Sequence, residues 1–172
     1  MPHASWNGCL RLSLVFCPVY LSLATEEGEL SKSNRDEFQT MSSDVIDLVH
    51  FVNRNEIDPL YLNTSYYVHP DGELAAEPFR VIAEKMTAKG LVGIGRVTLA
   101  NTRRLVMFEP CGAGMVMFTL RNVDEVRVAE FDTNRQTGID PEMLDIIEAV
   151  VEQRRSPFDP AKLLNGHNPE ES

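Results

Sequence analysis

The chemistry most visible in this chain is that of guanidinium groups gathered without counter-ions. Residues 80–121 hold seven bases against two acids, a local charge of +5 in a chain whose formal net charge is −10. Arg96, Arg103, Arg104 and Arg121 fall on or beside strand-like runs, and Lys85 and Lys89 close the helical run before them. Glu84 and Glu109 are too few to lace these cations into salt bridges. Such a cluster suits phosphate groups, which accept paired N–H donors and are attracted by charge. Composition alone leaves a solvated basic face as the other reading.

The remaining reactive residues point to no active site. Gly90 to Gly95 spell GLVGIG, but phosphate loops run from a strand into a helix, whereas these glycines run from a helix into a strand. A helix stop and close strand packing explain them better. Asp44, Asp47, Glu56 and Asp58 fall on separate elements without paired-carboxylate spacing, so a catalytic metal is not expected. Cys9, Cys17 and Cys111 are odd in number and lack C-x-x-C spacing. They read as small buried hydrophobes in a reducing compartment rather than as a disulfide framework or zinc site. The four histidines are scattered, and no serine or cysteine sits in a nucleophile motif. The expectation is a protein that is not an enzyme and needs no cofactor or metal.

Charge elsewhere limits the partner. Residues 1–79 carry −8 and residues 122–172 carry −7, so one basic block lies between two acidic ones. That pattern excludes a general nucleic-acid coat and leaves a local phosphate-facing surface. A length of 172 residues with 43% apolar content suits one globular domain with a real core.

The elements that must position the basic block follow from periodicity. Leu12 to Ala24 is apolar and could pass for a signal-peptide core, but it is too short for a membrane span and Pro18 interrupts it. It reads instead as two strands whose phase slips at Cys17-Pro18. Leu10, Leu12, Leu14 and Phe16 share one face before the slip. Asp44 to Val52 and Leu60 to His69 read as further strands, with turns at 53–59 and 70–72. Phe79, Ile82, Ala83 and Met86 mark a helix with Pro78 in its first turn and Gly90 just past its end. Leu91 to Leu99, Arg104 to Glu109 and Met115 to Leu120 read as strands joined by hairpin turns at 100–103 and 111–114. Both faces of these strands carry apolar residues, which suits a sheet covered on both sides or closed as a barrel. Asp140-Pro141 opens a second helix with a stripe of Met143, Leu144, Ile147, Val150 and Val151, and the tail from Ser156 reads as loose.

Several segments carry a family resemblance. EIDPLYLNTSYYVHPDG at 56–72, GLVGIGRVTL at 90–99, EPCGAGMVMFTLR at 109–121 and DEVR at 124–127 resemble the bacterial Ku family. SWNGCLRLSLVFCPVYLSLATEE at 5–27 resembles its opening strands, and SPFDPAKL at 156–163 the segment after its late helix. The resemblance implies an α+β, mainly β fold: a Ku-like β-barrel core with flanking helices over 1–163, and a loose tail at 164–172. It also implies an apparent internal deletion near 25–35 and an early stop after SPFDPAKL, both of which remove positive charge.

The implied function is sequence-independent binding of double-stranded DNA ends in double-strand break repair by non-homologous end joining, with recruitment of DNA ligase D. The implied assembly is a homodimer, or a heterodimer with a longer Ku paralogue, in the bacterial cytoplasm or nucleoid and not in a membrane. The alternative is a truncated Ku-like interaction subunit with weak or no DNA binding. Arg96, Arg103, Arg104 and Arg121 are the DNA-binding candidates, from charge and placement and not from the resemblance.

Overall fold

The computed structural model of the chain describes residues 6–25, 44–99, 102–131 and 138–165. The expected deletion near 25–35 falls almost wholly outside them, as does part of the 100–103 turn. Two compact units emerge, residues 1–128 and 129–172.

The first unit is a closed barrel of seven strands: β1 (Trp6–Leu12), β2 (Val15–Leu23), β3 (Val45–Asn53), β4 (Leu62–Pro70), β5 (Leu91–Leu99), β6 (Thr102–Cys111) and β7 (Gly114–Leu120). Their order around the barrel is β1-β2-β4-β7-β6-β5-β3. Every neighbouring pair is antiparallel except the seam, where β1 and β3 run parallel over Cys9↔Val45, Leu10↔Ile46 and Arg11↔Asp47. Closure removes free sheet edges and buries the inward strand face.

Helix α1 (Glu73–Lys89) touches β2, β4, β5, β6 and β7. Its buried residues Phe79, Ile82 and Met86 join the same core cluster as Leu10, Ile46 and Phe108 of the barrel. Full burial of side chains such as Phe79 and Phe108 contributes roughly 1.5–3 kcal/mol apiece. The glycines of GLVGIG serve this packing. Gly90 ends α1 in the left-handed region at φ 67°, and its N–H caps the Thr87 carbonyl at 3.2 Å. A Cβ at Gly95 would stand 2.8 Å from Val106 Cγ2, and one at Gly93 would stand 2.7 Å from Leu48 Cδ1.

A second, smaller cluster lies apart from that core. Val92, Ile94, Met107 and Leu120 are covered by Ile57, Tyr61 and Leu62. Two single 3-10 turns, Arg54–Glu56 and Pro59–Tyr61, bring those covering residues in. Arg54 Nε holds the first turn to Glu109 Oε2 at 2.7 Å. Asp58 caps the second by accepting from the Leu60 N–H at 3.0 Å.

Three local expectations need correction. The break between β1 and β2 is at Ser13-Leu14, where Ser13 adopts φ 54°, and Pro18 lies inside β2. Pro18 is tolerated because its carbonyl accepts from the Asp71 N–H on the β4 side, and the β2–β4 ladder starts only at Val19↔Pro70. Its missing N–H therefore removes no ladder bond. Leu14 and Phe16 are accordingly exposed rather than on a core face with Leu10. Helix α1 begins at Glu73, so Pro78 is interior and not in the first turn.

The second unit contains α2 (Pro141–Gln153) and α3 (Pro160–Leu164). Asp140 caps α2 by accepting from the Glu142 N–H at 3.0 Å, with Pro141 at the first position, as its sequence suggests. Residues 160–164, expected to be loose, instead form a short helix capped by Asp159. No helix among the described residues is long and apolar enough to cross a membrane.

Candidate nucleic-acid interface

The β5–β6 hairpin sets the geometry of the basic block. Arg96 pairs with Leu105 and Thr98 pairs with Arg103, so Arg96 and Arg103 are diagonal neighbours on one face. Arg104 pairs with Val97, and Arg121 follows the last residue of β7. All four arginines line a single cleft of about 260 Å³, together with Tyr61, Leu105, Leu120, Asn122 and Val123.

The four differ in how firmly they are held. The Arg121 guanidinium donates to the Leu60 carbonyl at 2.9 Å, the Leu62 carbonyl at 2.6 Å and Asn63 Oδ1 at 3.4 Å. Its backbone N–H donates to the Tyr61 carbonyl at 2.7 Å. Arg121 thus pins the turn that covers the smaller cluster, while its charge stays in the cleft. Arg104 Nη1 lies 3.9 Å from Glu125 Oε1, a loose pair. Glu125 is also the closing residue of a capping box, accepting from the Asn122 N–H at 2.9 Å. Arg96 and Arg103 are exposed, and neither pairs with an acid among the described residues. Two guanidiniums are positioned and two are uncommitted.

The acids near the cleft have other partners. Asp47 faces Arg96 across the β3–β5 ladder, but its carboxylate is bound by Arg11 of β1. That hydrogen bond and charge raise the Arg11 pKa above its ordinary value. Glu56 accepts from the Asn53 N–H at 3.0 Å, and Asp58 caps its own turn. These carboxylates therefore each serve the local backbone or an ion pair, and they are not gathered at one point.

Lys85 and Lys89 do not join the arginines. They border a separate apolar hollow of about 320 Å³ with Leu12, Phe51 and Ile82. Charge contrast along the sequence found the arginines but missed Tyr61 and Asn122, which reach the cleft from a 3-10 turn and from the exit of β7. The cysteines also diverge. Cys17 is buried, Cys9 is half-buried and Cys111 is exposed on the β6–β7 hairpin, so the reading as buried hydrophobes holds for Cys17 alone. Burial pushes the Cys17 thiol up to about 11.

Comparison with known proteins agrees with this architecture. Residues 20–146 match the family model described as the Ku70/Ku80 beta-barrel domain. The chain is 28% identical over 207 positions to the non-homologous end joining protein Ku of Methylocella silvestris, covering 92% of this chain and 76% of that protein. It is 31% identical over 209 positions to the protein of the same name from Bradyrhizobium sp., covering 94% and 72%. Alignments this long on a chain of 172 residues mean that the relatives carry segments with no counterpart here. Among solved structures, the SPOC domain of human PHD-finger protein 3 superposes with a TM-score of 0.51 at 6% identity, over 69% of this chain and 95% of that one, a likeness of fold alone. With a seven-stranded closed barrel, a matching family model over most of its length and these relatives, the chain belongs to the Ku β-barrel family.

Proposed function

We propose that this chain binds the phosphate backbone of double-stranded DNA at and near its ends, without reading sequence, as a non-catalytic component of non-homologous end joining. The observation that carries this is that Arg96, Arg103, Arg104 and Arg121 all line one cleft, with two of the four free of acidic partners among the described residues. Guanidiniums aimed at phosphates give affinity and register but no base information. Relatives named non-homologous end joining protein Ku support the pathway. On this reading the working partners are a second Ku chain, identical or longer, and a DNA ligase of the D type, in the bacterial cytoplasm or nucleoid.

The test is a mobility-shift titration of blunt linear duplex against covalently closed circles. Preferential retardation of the linear form supports the reading, and equal affinity for both forms contradicts end binding. A second reading, an interaction subunit with weak DNA contact, is favoured by the net charge of −10 and by the half-exposed apolar stripe of α2 at Met143, Leu144 and Ile147. Under that reading, affinity stays in the non-specific range, Kd roughly 10⁻⁴–10⁻⁶ M at physiological salt.

A further inference from the structure

We infer that the apolar hollow beside helix α1 is a docking site for a short acidic segment of another protein, one that carries large apolar side chains flanked by Asp or Glu. The site is separate from the arginine cleft and does not depend on the DNA-binding reading.

The lining has two parts. Val81, Lys85 and Lys89 recur at four-residue spacing on α1 and form a ridge about 12 Å long. The strands contribute Leu12 at the end of β1, Phe51 of β3 and Leu91 at the start of β5. Apart from the two lysines, every lining side chain is apolar. Glu84 of the same helix lines a different hollow with Arg80, so no acid lines this one. Neither lysine pairs with an acid among the described residues.

Water is a poor occupant of such a place. Scattered exposed apolar residues are ordinary, but here they line one concavity of about 320 Å³. Val81 is 48% exposed and Phe51 38% exposed, and an entering apolar side chain would cover both. An extended segment laid along the α1 ridge would place about four residues over it, at about 3.3 Å each. Nucleic acid is a poor fit, because its phosphates would meet hydrocarbon and two cations only.

Charge selects the flanks of the segment. Lys85 and Lys89 are exposed and one helical turn apart, so their ammonium groups can pair with carboxylates that border the apolar anchors. The chain carries −10 overall, with its excess of acids in residues 1–79 and 122–172. An acidic segment is therefore repelled by most of the chain's charge and attracted at the basic block to which these lysines belong. The lysines supply orientation and discrimination, while apolar contact supplies the affinity.

Phage-displayed random peptides, selected on the full chain, test this without assuming a particular partner. Enriched sequences are expected to place Leu, Ile, Met or Phe beside Asp or Glu. The most enriched peptide is then synthesised and titrated by fluorescence anisotropy. It should bind roughly tenfold more weakly to the Lys85→Glu/Lys89→Glu variant, where attraction at two positions becomes repulsion. Replacing its apolar anchor by Ala should weaken binding roughly tenfold or more, the worth of one buried side chain. Selection repeated on the double variant should turn to peptides bearing Lys or Arg. Both lysines are exposed, so the variant should melt as the unaltered chain does, and Lys85→Gln/Lys89→Gln replaces it if it does not. Failure to enrich any acidic, apolar peptide on the unaltered chain overturns the inference. So does a selected peptide that binds the double variant equally well. Sedimentation of the unaltered chain and of the variant covers the other occupant. An assembly that the substitutions dissociate would mean that a second copy of this chain fills the hollow, and would overturn the foreign partner.

Discussion

Asp47 stands directly opposite Arg96 in the β3–β5 ladder, yet its carboxylate is bound by Arg11 on the strand at its other side. The parallel seam of the barrel makes this possible, because Arg11 and Asp47 are partners in the β1–β3 register. Arg11 therefore keeps an acid away from the cleft without being part of it. Replacing Arg11 by Ala is expected to release Asp47 toward Arg96 and weaken DNA affinity a few-fold, although Arg11 touches no ligand. Titration of the variant at low salt checks this. Unchanged affinity would mean that Asp47 has no influence on the Arg96 charge.

Glu125 works in the opposite sense. It lies 3.9 Å from Arg104 and holds the Asn122 N–H through its other role as a cap. Glu125→Gln keeps an acceptor for the cap and removes the charge, so stability should change little. DNA affinity should rise two- to fivefold, about what relieving one loosely paired acid yields near a surface. Lower affinity, with an unaltered melting temperature, would show that Glu125 orders the cleft more than it opposes anions.

The barrel interior is tested at Gly95. Its absent Cβ would fall 2.8 Å from Val106 Cγ2 and 3.0 Å from Phe108 Cε2, inside a packed core. Gly95→Ala should destabilise the fold by about 1–3 kcal/mol through overpacking. Phe79→Ala, which leaves a cavity between α1 and the strands, should cost about 3–5 kcal/mol. Urea melts followed by circular dichroism measure both. A neutral Gly95→Ala would mean that the interior at β5 is less tightly packed than its distances indicate.

The cysteines give a pH-dependent readout. Burial raises the Cys17 thiol from 9.0 to about 11, while Cys111 is exposed. Below pH ~9 the thiol is protonated in both folded and unfolded chains, so it adds no pH dependence. Between pH ~9 and ~11 the unfolded chain loses this proton first, so stability falls as pH rises through that window. Thiol labelling at pH 8 should modify Cys111 first and Cys17 only on unfolding. Rapid labelling of Cys17 in the native state would show that the β2–α1 contact opens readily.

The β5–β7 region is legible in the sequence because each strand is a short apolar run bounded by glycine or polar turns, and Gly90 and Gly112 stand where positive φ is required. The β1–β2 hairpin is misplaced by sequence reasoning because Pro18 looks like a break. Its harmlessness depends on which side of β2 carries the next strand, a tertiary fact. Periodicity starts helix α1 too late for a related reason. Pro78 removes the bond to the Leu74 carbonyl, but Leu74 is fully exposed and water can replace the partner. The candidate site divides in the same way. Its arginines stand out by charge, whereas Tyr61 and Glu125 join them only through barrel closure and a capping box.

The most direct test of the arginine cleft as the DNA-facing surface is the salt dependence of binding to linear duplex. Each phosphate neutralised by a cation contributes about 0.9 to the slope of log K against log salt concentration. Arg96 and Arg103 are exposed and serve no structural bond among the described residues, so the Arg96→Gln/Arg103→Gln variant should melt as the unaltered chain does. Its affinity should fall equally on unrelated duplex sequences, and its slope should be shallower by roughly 1.8, the share of two phosphates no longer neutralised. An unchanged slope with unchanged affinity would contradict the assignment and place the DNA on another face of the barrel.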